Sequence, residues 1–209
     1  MVDPAVLPSF LVAVVLITVA PGPDNAYIAA VAVERGVRAG LVSAVGMAIG
    51  MVVHATAAAL GLAMLLSSAP AALTAIRLAG AAYLGWLGAT TLWSMRHSGA
   101  QTRHPPPGRR LLARAVLTNL TNPKVILFFA AFLPQFVRPG HGPAAVQLLT
   151  LGVLFLLVGL VIDSVVGMAA GRLHDAAAPG GRAANTLGLL AGLTFASLAG
   201  ILSWEALSG

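Results

Sequence analysis

Four ionisable side chains stand inside stretches that are otherwise apolar. They are Asp24 in Pro21-Gly22-Pro23-Asp24-Asn25, His54 in Met51-Val52-Val53-His54-Ala55, Lys124 in Thr121-Asn122-Pro123-Lys124, and Asp163 in Leu160-Val161-Ile162-Asp163-Ser164-Val165. At membrane depth such a group costs at least ~2.5–3.5 kcal/mol on insertion scales, so each is a functional candidate by default. Lys124 directly follows a proline break and therefore falls at the start of a helix, where unpaired N–H groups and the helix dipole attract anions. Its chemistry is the reception of a carboxylate. Asp24 holds the corresponding place after the first break and offers a carboxylate to an ammonium group or a coupling proton, with Asn25 and Asn122 beside the two breaks as further polar candidates. Asp163 has no basic neighbour in sequence, so its charge must be paired across helices, solvated or neutralised. A proton-coupling carboxylate or an ammonium partner is one reading, and a structural ion pair with Lys124 is the plain alternative. The ordinary titration of histidine near neutral pH makes His54 a natural proton relay, while a buried neutral ring donating to a backbone carbonyl explains it equally well.

Other chemistries are poorly supplied. The five histidines never recur at i,i+4, four of them fall in connections, and the chain has no cysteine, so we expect no metal site and no cofactor. No Gly-x-Ser-x-Gly elbow, His-Glu-x-x-His pair or pair of membrane aspartates is present, and Ser43 is about three turns from His54, too far for a dyad. These observations argue against an intramembrane enzyme. A channel or passive facilitator is the other alternative, and no filter-like ring supports it.

The elements that must position these residues follow from composition. Of 209 residues, 58% are apolar and 9% charged, with 12 basic against 6 acidic side chains. That is too little charge to cover a water-soluble domain, whose charged fraction is nearer ~25%, and the bilayer is the expected solvent. The basic residues lie between apolar runs instead of forming one patch, so nucleic acid is not an expected partner. Long continuous apolar runs indicate helices and not alternating barrel strands. Six spans are predicted, at roughly 5–33, 37–66, 71–95, 110–137, 143–171 and 183–207, the second and third separated at Ser67-Ser68-Ala69-Pro70. The first span carries Asp3 where a signal peptide has a basic region, so it is expected to remain in the mature protein. Arg35, Arg38, Arg96, Arg103, Arg109, Arg110, Arg114, Arg172 and Arg182 fall in or beside alternate connections and share one side, whereas the other side has only Arg138. Both termini are thus predicted outside. Arg77, Trp93 and Trp204, near span ends, read as interface anchors.

The linker 96–109, with Pro105-Pro106-Pro107, divides the single transmembrane domain into repeats at about 5–95 and 110–207. Three spans in each half orient equivalent helices oppositely, which is the arithmetic of an inverted repeat. The first helix of each half is interrupted, at Pro21-Gly22-Pro23 and at Pro123. One proline kink means little in a membrane helix, but paired interruptions at corresponding positions are the best sequence pointer to a transporter binding site. Gly46-x-x-x-Gly50 and Gly188-x-x-x-Gly192 are small-residue faces suited either to internal packing or to a homodimer. Phe128, Phe129, Phe132 and Phe136 read as core or lipid contacts in preference to a substrate gate.

At these residues the chain resembles the LysE/RhtB family of amino-acid exporters, over essentially its whole length. The resemblance is carried by Pro21-Gly22-Pro23-Asp24-Asn25 with Gly36, Gly40, Gly46 and Gly50, and by Thr121-Asn122-Pro123-Lys124 continuing through Phe128-Phe129 to Phe132-Leu133-Pro134-Gln135-Phe136. It implies proton-driven efflux of amino acids or related metabolites across the cytoplasmic (inner) membrane of a bacterium. The Pro-Gly-Pro-Asp-Asn form is closer to the RhtB-like branch, associated with neutral amino acids such as threonine, homoserine or leucine.

Overall fold

The computed structural model describes residues 2–62 and 110–172, together with scattered positions between 74 and 93. No strand occurs among the described residues. A 3-10 turn at Pro4–Val6, capped by Asp3 Oδ1 accepting from the Ala5 amide at 2.9 Å, leads into α1, Leu7–Val19. Pro21 and Pro23 have no N–H to extend that helix, so it stops and α2, Pro23–Arg35, starts afresh with proline in its first turn. Gly36 then reverses the chain at φ +80°, a conformation that side chains rarely adopt, and α3 runs Val37–Ala57 into a π-helical turn at Ala58–Leu62.

The second block repeats the pattern. Helix α4, Leu111–Leu120, breaks at Thr121-Asn122, and α5, Pro123–Leu127, continues through a π turn at Phe128–Phe132 and a 3-10 turn at Leu133–Phe136. Asn122 Oδ1 caps α5 by accepting from the Lys124 amide at 3.0 Å. Gly140 and Gly142, both at positive φ, shape the following turn, and α6 then runs 29 residues from Ala144 to Arg172. The buried Gln147 side chain holds that turn by accepting from the Arg138 amide and donating to the Arg138 and Gly142 carbonyls, each at 3.0 Å.

These elements match four of the expected spans in kind. Val37–Gly61 and Ala144–Arg172 are each long and apolar enough to cross a membrane, and the two interrupted pairs become spans bent by 51° and 46° at their breaks. Span 183–207, the linker 96–109, Arg77, the break at Ser67–Pro70, and most of span 71–95 lie outside the described residues.

Glycine contacts fix the relative directions. A Cβ on Gly46 would meet Ala115, and one on Gly50 would meet Asn119, so α3 and α4 run parallel. Ala55 lies against Gly152, Met51 against Gly159 and Gly40 against Gly167, so α6 is antiparallel to α3. Because α2 doubles back into α3 at Gly36, the two bent spans run in opposite directions. The Gly46-x-x-x-Gly50 face is thus occupied within the chain by α4.

A phenylalanine cluster packs inside this bundle. Phe10, Phe128, Phe129, Phe132, Phe136 and Phe155 are all buried, with ring centroids 4.6 Å apart for Phe128–Phe155 and 5.1 Å for Phe10–Phe136. The phenylalanines after the second break therefore pack in the core. By contrast Val146, Leu149, Val153, Leu157, Val161 and Val165 expose one helical stripe of α6, the apolar exterior that hydrocarbon requires.

Candidate functional site

Each break frees carbonyl groups at the end of its first half-helix, and polar side chains gather there to satisfy them. The carbonyl of Ala20, the residue that caps the end of α1, accepts from Asn25 Nδ2 at 3.1 Å and from Lys124 Nζ at 2.9 Å. Asn25 Nδ2 also donates to the Thr18 carbonyl at 3.0 Å. The lysine after the second break thus closes the first. Gly22 makes room for it: a Cβ there would lie 3.0 Å from Nζ.

Asp24, in the first turn of α2, is tied to the other block in return. Its Oδ2 accepts from Asn119 Nδ2 at 2.7 Å, a bond spanning 95 residues. The Asn119 carbonyl meets His54 Nε2 at 3.3 Å, and the His54 ring stacks on Phe129 with centroids 5.7 Å apart. His54 is only part-buried, because it borders an open apolar hollow that also touches Ile126 and Phe129. Its contact with a backbone carbonyl is the plain reading of this histidine; an amide carbonyl cannot pass a proton onward.

Asp24, Lys124 and Asp163 line one small cavity with Thr18, Asn25, Met51 and apolar neighbours. All three ionisable groups are at most 4% exposed. No ion pair within 4.0 Å joins Lys124 to either carboxylate; the ion pairs among the described residues are Arg35–Glu34 and Asp3–His141. The expected alternative of a contact Lys124–Asp163 pair is therefore not adopted. Among the described residues, four buried polar atoms have no hydrogen-bond partner: Asp24 Oδ1, Asp163 Oδ2, Asn122 Nδ2 and Asn119 Oδ1. Orphans of this kind are costly in a packed interior and mark a site built for something else to complete. The cavity offers about 10 Å³ to the centre of a water-sized sphere, room for roughly one water molecule.

The sequence is informative about what that something belongs to. The family model described as LysE type translocator matches residues 15–205, nearly the whole chain. The chain belongs to the LysE translocator family. Among its relatives, the leucine efflux protein of Klebsiella pneumoniae is 31% identical over 159 residues, covering 75% of this chain and 72% of that protein. The homoserine/homoserine lactone efflux protein of Salmonella typhimurium is 34% identical over 158 residues, covering 74% and 75% respectively. The leucine efflux protein of an Enterobacter strain is 35% identical over 131 residues, and the chain spans 62% of its length. No solved structure matches.

As a LysE translocator the chain is a multi-pass membrane transporter and not an enzyme. Of the residues singled out in the sequence, Asp24, Asn122, Lys124 and Asp163 come together, Asn25 seals the first break, and His54 stands one residue removed behind Asn119. Pro21, Gly22, Pro23 and Pro123 shape the two interruptions. Asn119 is the residue that sequence reasoning passes over. It lies one turn before the second break, where the structure sets it against Gly50 on the facing helix.

Proposed function

We propose that this LysE translocator exports neutral amino acids of the leucine or homoserine type from the bacterial cytoplasm across the inner membrane in exchange for protons. The observation that carries the reading is the meeting of both helix breaks around Lys124, Asp24 and Asp163, with an unpartnered acceptor oxygen on each of the two aspartates that line one cavity. An α-amino acid brings a carboxylate and an ammonium group. Lys124 Nζ and Asn122 Nδ2 receive the carboxylate, and the two aspartates between them serve the ammonium group and the coupling proton. The names of the leucine and homoserine efflux relatives support the substrate class.

The cavity is too small for any amino acid, so this conformation is closed and the site opens by movement of the repeats about 5–95 and 110–207 against each other. Opposite directions of the two bent spans support that inverted arrangement. The arginine-rich connections support termini on the outside. A homodimer, if the protein forms one, uses a face other than Gly46–Gly50.

The test is purified protein in liposomes enclosing a pH-sensitive dye, challenged with gradients of neutral, basic and acidic amino acids. Proton movement coupled to the neutral class, and lost in Lys124→Ala, is the expected result. Substrate flux indifferent to the proton gradient would make the protein a passive facilitator instead.

A further inference from the structure

Resting on the exchange reading above, we propose that the two carboxyl groups of the cavity have separate duties. Asp163 carries the one exchangeable proton of the cycle, and Asp24 stays charged as the receptor for the substrate's ammonium group.

The two environments differ in the number of donors and positive charges they supply. Asp24 Oδ2 accepts from Asn119 Nδ2 at 2.7 Å, and its carboxylate stands in the first turn of α2, where Gly22 contributes no capping side chain. Lys124, His54 and Asn122 all face it. Asp163 is in the interior of an unbroken helix, far from either terminus, and its buried Oδ2 has no donor. Its charged neighbours are Asp24, which repels a second negative charge, and Lys124, which is engaged by the Ala20 carbonyl. Among the described residues, every other titratable side chain of the packed elements is elsewhere. Helix α1 has none; Glu34, Arg35, Arg38 and Arg172 stand where α2, α3 and α6 end or begin, and Tyr27 and Arg114 are beside Leu111 at the start of α4. Two carboxylates whose surroundings differ in this way divide into a charged partner and a proton carrier.

Charge counting agrees. With Lys124 and Asp24 charged and Asp163 protonated, the closed cavity is neutral, which a dry interior demands. The proton forms its O–H bond at Asp163 from water on one side of the membrane and is released to water on the other, one per cycle.

The experiment is infrared difference spectroscopy of the protein in lipid nanodiscs across a pH titration, combined with leucine binding. Expected is one protonated-carboxyl C=O band that disappears in Asp163→Asn and persists in Asp24→Asn. Leucine affinity falls by about 30-fold or more in Asp24→Asn, while in Asp163→Asn substrate exchange loses its dependence on pH. Asp163→Glu, which keeps the carboxyl, restores the band and the pH dependence. A band lost in Asp24→Asn and kept in Asp163→Asn would overturn the assignment. Failure of the wild type to bind any amino acid would instead defeat the exchange reading, and the infrared band would still decide which carboxyl holds the proton.

Discussion

Asn119 shows what a single side chain does in this molecule. It is fully buried, donates to Asp24, presents its carbonyl to His54, and rests against Gly50. Truncation in Asn119→Ala leaves Asp24 Oδ2 without its donor and opens a void beside α3. Because a hydrogen bond to a charged group contributes about 1.5–3 kcal/mol, the variant is expected to lose that much stability, read as a lower melting temperature in detergent. Gly22→Ala acts differently. The added methyl would lie 3.0 Å from the end of a flexible lysine side chain, so the fold survives while the ammonium is pushed from the Ala20 carbonyl. Substrate exchange is expected to fall roughly tenfold, about 1.4 kcal/mol, with melting nearly unchanged. Asp24, Asn122, Lys124 and Asp163 were legible in the sequence because charge or an amide in an apolar run declares itself. Asn119 was not, since it follows Thr118 and precedes Thr121 in a locally polar stretch, and its significance comes from a partner 95 residues away.

Among the elements, α3 is the common neighbour. It offers Gly46 and Gly50 to α4 and Gly40 to α6, so two helices approach its backbone on different faces. Gly50→Ala would drive a methyl into Asn119 Oδ1 and to 2.8 Å from its Cβ, contacts no rotamer fully relieves. A cost of about 1–3 kcal/mol is expected for such overpacking, together with weakened transport, since the same shift disturbs Asp24. At Gly167 the obstacle is backbone: a Cβ would meet Gly40 carbonyl carbon at 3.0 Å. Gly167→Val is therefore expected to separate α6 from α3 and reduce the yield of folded protein in size-exclusion chromatography. The breaks were readable from Pro21, Pro23 and Pro123, because proline's missing donor acts locally. The π turns at Ala58–Leu62 and Phe128–Phe132 were not, as nothing in the apolar composition of those segments distinguishes a wider turn. Likewise Gly46 and Gly50 announced a close contact without naming α4 as the partner.

For the whole molecule, the apolar runs predict six crossings and the alternation of arginines predicts their sense, and the parallel and antiparallel contacts of α3 agree with the relative directions expected of the four described spans. The chain has no cysteine, so orientation is open to direct labelling. Pro139→Cys and Arg38→Cys, both at exposed positions, are expected to separate cleanly: a membrane-impermeant maleimide labels the first in intact cells and the second only after lysis. Labelling in the reverse pattern would invert the topology. What composition could not convey is how tightly the bundle shuts, because that depends on side chains from both blocks interlocking at the breaks. With Lys124 seated on the Ala20 carbonyl and room for about one water beside it, the described residues leave no space for a column of water at the breaks. On the proposed exchange reading, a cell crowded with idle copies keeps its membrane energised, and proton entry follows only in proportion to the cargo exported.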